Sequence, residues 1–362
     1  MTPPRCRDIF EQAVGLAPSD RKAFVDAACG GNDLLRQEIE SLLAAHGDVG
    51  RFLDALAGTS ASEPDPLHVG EYQVLRKLGE GGMGRVYLAE PGPVALKLVR
   101  RDLDPAVVLR RFERERGILS RLNHPNVARL LDGGQTDDGA PYLVLTYVEG
   151  LPLDAYCQRA RLTLRPRLEL FQRVCDAVSY AHRHLVIHRD LKPANILVRE
   201  TGAPVVLDFG LAKLTQTDLQ HALDSTSTGH RLLTPEYASP EQLTGLPITP
   251  ATDVYALGLI LYEMLTGVRP HRFETWSMAE IVTVVCETMT PPPSVVASLP
   301  PHPLHDPDDD GRPAPSFHPD DLRGPLDAIV MKAIAKEPER RYSHVVELES
   351  DVERYLAHAS NT

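Results

Sequence analysis

The chain is predicted to be α+β, with a short all-α module, a small β-rich region and a larger helical region in that order. Three observations carry this prediction. Apolar residues alternate with polar ones from 72 to 99, which is the period of a half-buried strand. Beyond about 105 most apolar residues recur at helical spacing. Between the first helices and the first strands lies "GTSASEPDPLH", residues 58–68, whose composition is that of a linker.

The first module spans 1–57. Phe10 and Val14 share a helical face, Ser19 caps a helix running to Ala28, and Gly30-Gly31 ends it. Asn32 or Asp33 caps the next helix, with Leu35, Ile39, Leu42 and Leu43 on its apolar side. After the linker, 58–69, come the strands "YQVLRKL", "GRVYLAE" and "VALKLV". Further β runs are expected at 142–148, 185–187, 196–198 and 205–207, among helices. Residues 291–321 are rich in Pro, Asp and His and read as an exposed insertion. Helical patterns at 325–336 and 343–358 close the chain, and no internal repeat is visible.

Bulk properties exclude several classes. The 362 residues carry a net charge of −12, which argues against a nucleic-acid partner. Five cysteines, at 6, 29, 157, 175 and 286, form no CxxC pair, so neither a disulfide framework nor a structural zinc site is expected. No secretory leader is visible, and the longest apolar run, near 254–265, is too short to span a bilayer. The expected location is cytoplasmic.

Four motifs carry chemistry. In "LGEGGMGRV", 78–86, Gly79, Gly81 and Gly84 let a hairpin lie close over phosphates with its N–H groups facing the anion. A strand follows it, not a helix, which separates it from the dinucleotide-binding pattern. Lys97 sits among apolar residues of the next strand and needs a partner. The helix from Asp104 and Pro105 to 122 supplies a candidate. Its apolar stripe runs through Val108, Phe112, Leu119 and Leu122, and Glu115 falls on that stripe while Glu113 does not.

The third motif is "VIHRDLKPANILV", 186–198, in which Asn195 follows five residues after Asp190. The fourth is "VVLDFG", ending a β run, with Asp208 eighteen residues after Asp190. Two carboxylates and an amide are what magnesium-bound phosphates and an acceptor hydroxyl require. In contrast, "HPLHDPDDD" at 302–310 places His and Asp at irregular spacing in a Pro-rich loop and reads as solvated rather than metal-binding.

On these motifs residues 70–357 resemble the bacterial eukaryotic-type (Hanks-type) serine/threonine protein kinases. The resemblance implies a two-lobed kinase fold, with a β-rich lobe at 70–148 and a helical lobe at 149–357. It implies ATP with Mg²⁺ or Mn²⁺, and protein substrates with Ser or Thr acceptors. Asp190 would orient the acceptor and take its proton, Lys192 would lie near the transferred phosphoryl group, and Lys97 would pair with the phosphates and Glu115. Asn195 and Asp208 would hold the metal. Val86, Ala95 and Leu197 would enclose adenine, with Leu145 behind it and backbone groups of Thr146 and Val148 facing the base. Leu119, His188 and Phe209 would stack in one packed column. Asp253 would brace the catalytic loop and Glu241 would pair with Arg341.

The segment from Asp208 to Glu241 would hold Thr234 as a substrate-loop contact. Thr226 and Thr228 would be autophosphorylation sites there, with Arg189 and Lys213 to receive the phosphate. A homodimer would allow trans-autophosphorylation. Lys192 favours Ser/Thr acceptors over Tyr, and the long segment ending in "SPE" separates the chain from small-molecule phosphotransferases. Three positions depart from the family pattern. The turn "EPGPV" is short, Leu233 stands where Gly is usual, and Thr146 replaces the hinge acid. None removes a catalytic group. The alternative is a nucleotide-binding pseudokinase scaffold acting through 1–57, a module that either binds a protein partner or packs on the kinase. The family also includes longer membrane-anchored kinases, of which such a chain would be the cytosolic part.

Overall fold

The computed structural model describes residues 65–81, 84–99, 119, 122–209, 234–299 and 317–358, together with the helical positions 24, 28 and 36. The chain divides into two compact units, Met1–Asp65 and Pro66–Thr362. In the first unit Phe24, Ala28 and Arg36 are helical.

The second unit opens with a six-stranded antiparallel sheet. Its strands are β1 (His68–Val69), β2 (Tyr72–Gly81), β3 (Gly84–Glu90), β4 (Val94–Val99), β5 (Leu130–Gln135) and β6 (Pro141–Thr146), in the order β1-β2-β3-β4-β6-β5. One face buries Val69, Tyr72, Tyr87, Ala89, Val94, Leu96, Tyr142 and Val144. Alternation along β3 and β4 therefore turns Val86, Ala95 and Lys97 to the other face. The expected run at 142–148 shortens to β6. The expectation also lacked β5, "LLDGGQ", because two glycines and an Asp give it little strand propensity. Its pairing with β6 supplies what the local sequence does not.

A short second sheet of β7 (Leu151–Pro152), β8 (Ile196–Val198) and β9 (Pro204–Val206) lies at the start of the helical region. The helices are α1 (Leu153–Arg159), α2 (Leu164–Arg183), α3 (Pro240–Thr244), α4 (Pro250–Thr266), α5 (Met278–Val282), α6 (Pro293–Ala297), α7 (Pro325–Ala333) and α8 (Val345–His358). The pillar of this lobe is α4. Thr249 caps it with Pro250 at its first position, and it ends at Gly267, φ +77°. It is mostly apolar and buried from Ala251 to Thr266, against α1, α2, α6, α7 and α8. At Gly258 a Cβ would come within 2.8 Å of Ala333, so glycine lets α7 cross close to α4.

Two expectations are corrected. Residues 185–187 form no strand. Leu185 adopts φ +62° and the Val186 N–H returns to the Ala181 carbonyl, so the segment closes α2 instead. Residues 291–321 are not wholly an exposed loop, because α6 forms within them and buries Ser294. The Asp327 carboxylate accepts the Ser294 N–H at 2.9 Å and its hydroxyl at 2.6 Å. The "HPLHDPDDD" cluster lies outside the described residues, as does most of the helix expected over 105–122.

Candidate active site

A cleft of about 740 Å³ runs between the two sheets. From the upper sheet it is lined by Gly79, Gly84, Val86, Ala95 and Lys97, and along its back by Leu145, Thr146 and Val148. From below come Asp190, Lys192, Asn195, Leu197, Asp208 and Thr234. Gly81 pairs with Gly84 at the hairpin tip. A Cβ on Gly79 would meet nothing within 4 Å, so the backbone there borders open space. Gly84 has another reason to be glycine. Its φ is +141° and a Cβ there would lie 2.0 Å from the Leu98 carbonyl oxygen.

The loop 188–195 is held from beneath. Asp253, in the first turn of α4, is 1% exposed. Its Oδ2 accepts the His188 N–H at 2.8 Å, and its Oδ1 accepts the Arg189 N–H at 2.9 Å. The His182 ring donates from Nε2 to Oδ2 at 2.7 Å. Burial works against the ionised carboxyl, but the His182 bond and the surrounding donors hold its pKa below the ordinary value. This grip keeps Arg189 at φ +71°, a backbone region that costs a non-glycine residue about 1 kcal/mol or more. His188 donates from Nε2 to the Leu207 carbonyl at 2.7 Å and accepts the Asp190 N–H at Nδ1, 3.3 Å.

Asp190 is thereby aimed into the cleft. Lys192 Nζ lies 3.0 Å from its Oδ2 and donates to Thr234 Oγ1 at 2.6 Å. The Thr234 hydroxyl points to Asp190 Oδ1 at 3.4 Å. Asn195 Nδ2 donates to the Asp190 carbonyl at 2.7 Å and to its Oδ2 at 3.0 Å. Both amide hydrogens are then engaged, which leaves the Asn195 side-chain oxygen to act as an acceptor.

Across the cleft Lys97 Nζ donates to Asp208 Oδ2 at 2.6 Å. Burial opposes the ionised Asp208, yet Lys97, with His188 and Lys192, keeps its pKa below the usual carboxylate value. Asp208 has φ +58°, so a second left-handed residue borders the site. Asn195 and Asp208 together offer hard oxygen ligands suited to Mg²⁺ or Mn²⁺. Among the described residues no three His, Cys, Asp or Glu side chains could hold a metal by themselves. Such a pair suits an ion whose remaining ligands are phosphate oxygens and water.

The column residues Leu119 and Phe209 belong to one buried cluster, and the His188 ring meets Phe209 edge-on at 4.7 Å between centroids. Glu241 forms a two-bond pair with Arg341, at 2.8 and 2.9 Å. Burial opposes the Glu241 charge, but Arg341 and the Thr252 hydroxyl bring its pKa below the ordinary value. Glu115, Lys213, Thr226, Thr228 and Leu233 lie outside the described residues.

Sequence reasoning missed several side chains around the site. His182 holds Asp253, and Gln242 donates to the Arg189 carbonyl at 2.7 Å. The Tyr237 hydroxyl donates to Glu263, which ties the substrate segment to α4. Arg76 and Glu149 line the cleft mouth. Only His182 left a signal, a polar residue on the buried face of a helix.

A sequence model of the protein kinase domain matches residues 72–351. The chain is 36% identical over 300 residues to serine/threonine-protein kinase PknB of Mycobacterium tuberculosis, covering 80% of this chain and 44% of that protein. It is 35% identical over 296 residues to serine/threonine-protein kinase PrkC of Bacillus subtilis, 78% of this chain and 40% of that one. To a probable PknB of Bifidobacterium longum it is 32% identical over 311 residues, 82% and 41%. The chain therefore spans less than half the length of these curated relatives.

Proposed function

The chain belongs to the protein kinase family, and on that premise we propose that it transfers the γ-phosphoryl group of ATP to Ser and Thr hydroxyls of proteins in bacterial signalling. The observation that carries this reading is the Lys192–Thr234–Asp190 network facing the Lys97–Asp208 pair across one cleft. Asp190 orients the acceptor hydroxyl and takes its proton as the new O–P bond forms and the bond to ADP breaks. Lys192 and Lys97 offset negative charge on the phosphoryl oxygens. Asn195 and Asp208 would hold a divalent metal, which would neutralise phosphate charge. Gly79, Gly81 and Gly84 cover the phosphates, while Val86, Ala95 and Leu197 enclose the base with Leu145, Thr146 and Val148 behind it.

Asp190→Asn tests the reading directly. The variant should fold and bind ATP but lose transfer of radiolabelled γ-phosphate to protein. Undiminished labelling refutes the assignment. Lys97→Met should also be inactive.

Activation by phosphorylation at Thr226 or Thr228, in trans between two copies, extends the proposal. A phosphate there would be received by Arg189 and Lys213. Mass spectrometry should find the phosphate on one of these threonines, and Thr226→Ala/Thr228→Ala should lower kcat at least about tenfold. Full activity of the double variant rejects the switch. Residues 1–57 are proposed to bind a protein partner. Pull-downs with and without 1–66 test this, and identical partners in both reject it. Among the described residues no helix is long and apolar enough to cross a membrane.

A further inference from the structure

Trp276 is the only tryptophan in the chain. It is 49% exposed and has a backbone φ of +55°. A left-handed backbone costs a bulky residue about 1–2 kcal/mol, and an exposed indole forgoes the burial that aromatic side chains usually gain. Two unfavourable features coincide at one residue only where the surroundings impose them.

Here Glu280 imposes them. Its Oε1 accepts the Glu274 N–H at 2.6 Å, and its Oε2 accepts the Thr275 N–H at 2.8 Å and the Thr275 hydroxyl at 2.6 Å. Ser277 then caps α5, its hydroxyl accepting the Glu280 N–H at 3.2 Å. The indole rests against Phe273, with ring centroids 5.2 Å apart. The indole is thus supported at an angle by Phe273, and about half of the residue is presented to solvent.

Phe273 packs on Ala238, Leu243, Ile281 and Val285. Ala238 stands four residues after Thr234, whose hydroxyl points to Asp190. The tryptophan turn is therefore continuous with the segment that faces the acceptor. A half-exposed tryptophan offers about half of the roughly 250 Å² that a whole one can bury, far below the roughly 1,200 Å² of a stable dimer. That area suits one side chain of a partner already held at the cleft.

We propose that Trp276 is an apolar anchor for protein substrates, outside the catalytic cleft, which takes a leucine- or phenylalanine-type side chain from the chain flanking the phosphoacceptor. The inference rests on the kinase reading above. Rigid aromatic anchors lose little entropy on binding, which is why tryptophan dominates binding hot spots.

Trp276→Gly is the informative variant. Glycine accepts φ +55° without strain, so the turn survives while the indole is lost. The substrates are Thr-centred peptides with about ten residues on each side, a reach of about 30 Å when extended. A single leucine is stepped through an otherwise polar background. For the wild type, one leucine register should lower KM about five- to tenfold with kcat unchanged. On binding that peptide, Trp276 emission should shift to the blue. In Trp276→Gly the register dependence should vanish, while the leucine-free peptide is phosphorylated as by the wild type. Trp276→Phe should restore part of it. Leucine dependence unchanged in Trp276→Gly, or a wild type that phosphorylates every register equally, overturns the anchor alone. A wild type that phosphorylates no peptide overturns the kinase reading and the anchor with it.

Discussion

Thr234 is where the segment leading into α3 touches Asp190. Lys192 donates to its hydroxyl at 2.6 Å, and the hydroxyl points on to Asp190 at 3.4 Å. Thr234→Val keeps the shape and removes the bridge. Steady-state kinetics should show kcat for protein acceptors lower by about 10²-fold, the scale of losing one positioned contact. KM for ATP should not change, and Thr234→Ser should recover most of the rate. Residues of this kind are legible from sequence when chemistry forces both type and spacing, as at Lys97, Asp190, Asn195 and Asp208. His182 and Gln242 were not legible, because a buried carboxylate and a lone carbonyl will accept a bond from many donors. Which one reaches them depends on how α2 and α3 pack.

At the scale of elements, the Glu241–Arg341 pair joins α3 to the segment after α7. Arg341 also donates to the carbonyls of Ala335 at 2.6 Å and Lys336 at 2.8 Å, and its guanidinium lies 4.6 Å from the Tyr255 ring centroid. Both partners are nearly solvent-free, so removing one strands a buried charge. Arg341→Met should cost about 3–5 kcal/mol in urea unfolding, and Glu241→Leu/Arg341→Met should recover most of it. Equal losses in the single and double variants would show that the pair is not what the fold depends on. Periodicity located β3, β4 and α8, where one face is buried along the element. It failed at β5, whose glycines are tolerated only because β6 lies beside them. It failed again at 185–187, where an apolar run closes a helix.

The pH dependence of stability belongs to the whole molecule. His271 is 2% exposed, and burial, with Lys336 nearby, pushes its pKa down from 6.5 to about 3. Below pH 6.5 the unfolded chain binds a proton that the folded chain refuses, so stability falls as the pH drops. Between pH 7 and pH 5 the loss should be about 2 kcal/mol. His271→Gln should remove that slope in urea titrations, and an unchanged slope would contradict it. Glu241, Asp253 and Asp208 act at lower pH. Their folded pKa values are depressed, so their contribution is complete above the ordinary carboxylate range and is lost as the pH falls through the folded values.

The proposed activity is transfer of phosphate from ATP to protein hydroxyls in this cleft, with Asp190 as the group that takes the proton. Phosphoamino-acid analysis after incubation with γ-labelled ATP and Mg²⁺ tests it most directly, provided nucleotide binding is measured on the same samples. The wild type should yield labelled phosphoserine or phosphothreonine. Asp190→Asn should bind ATP with similar affinity and yield neither. Label on Ser or Thr in the Asp190→Asn sample, at the wild-type rate, would rule out that role for Asp190.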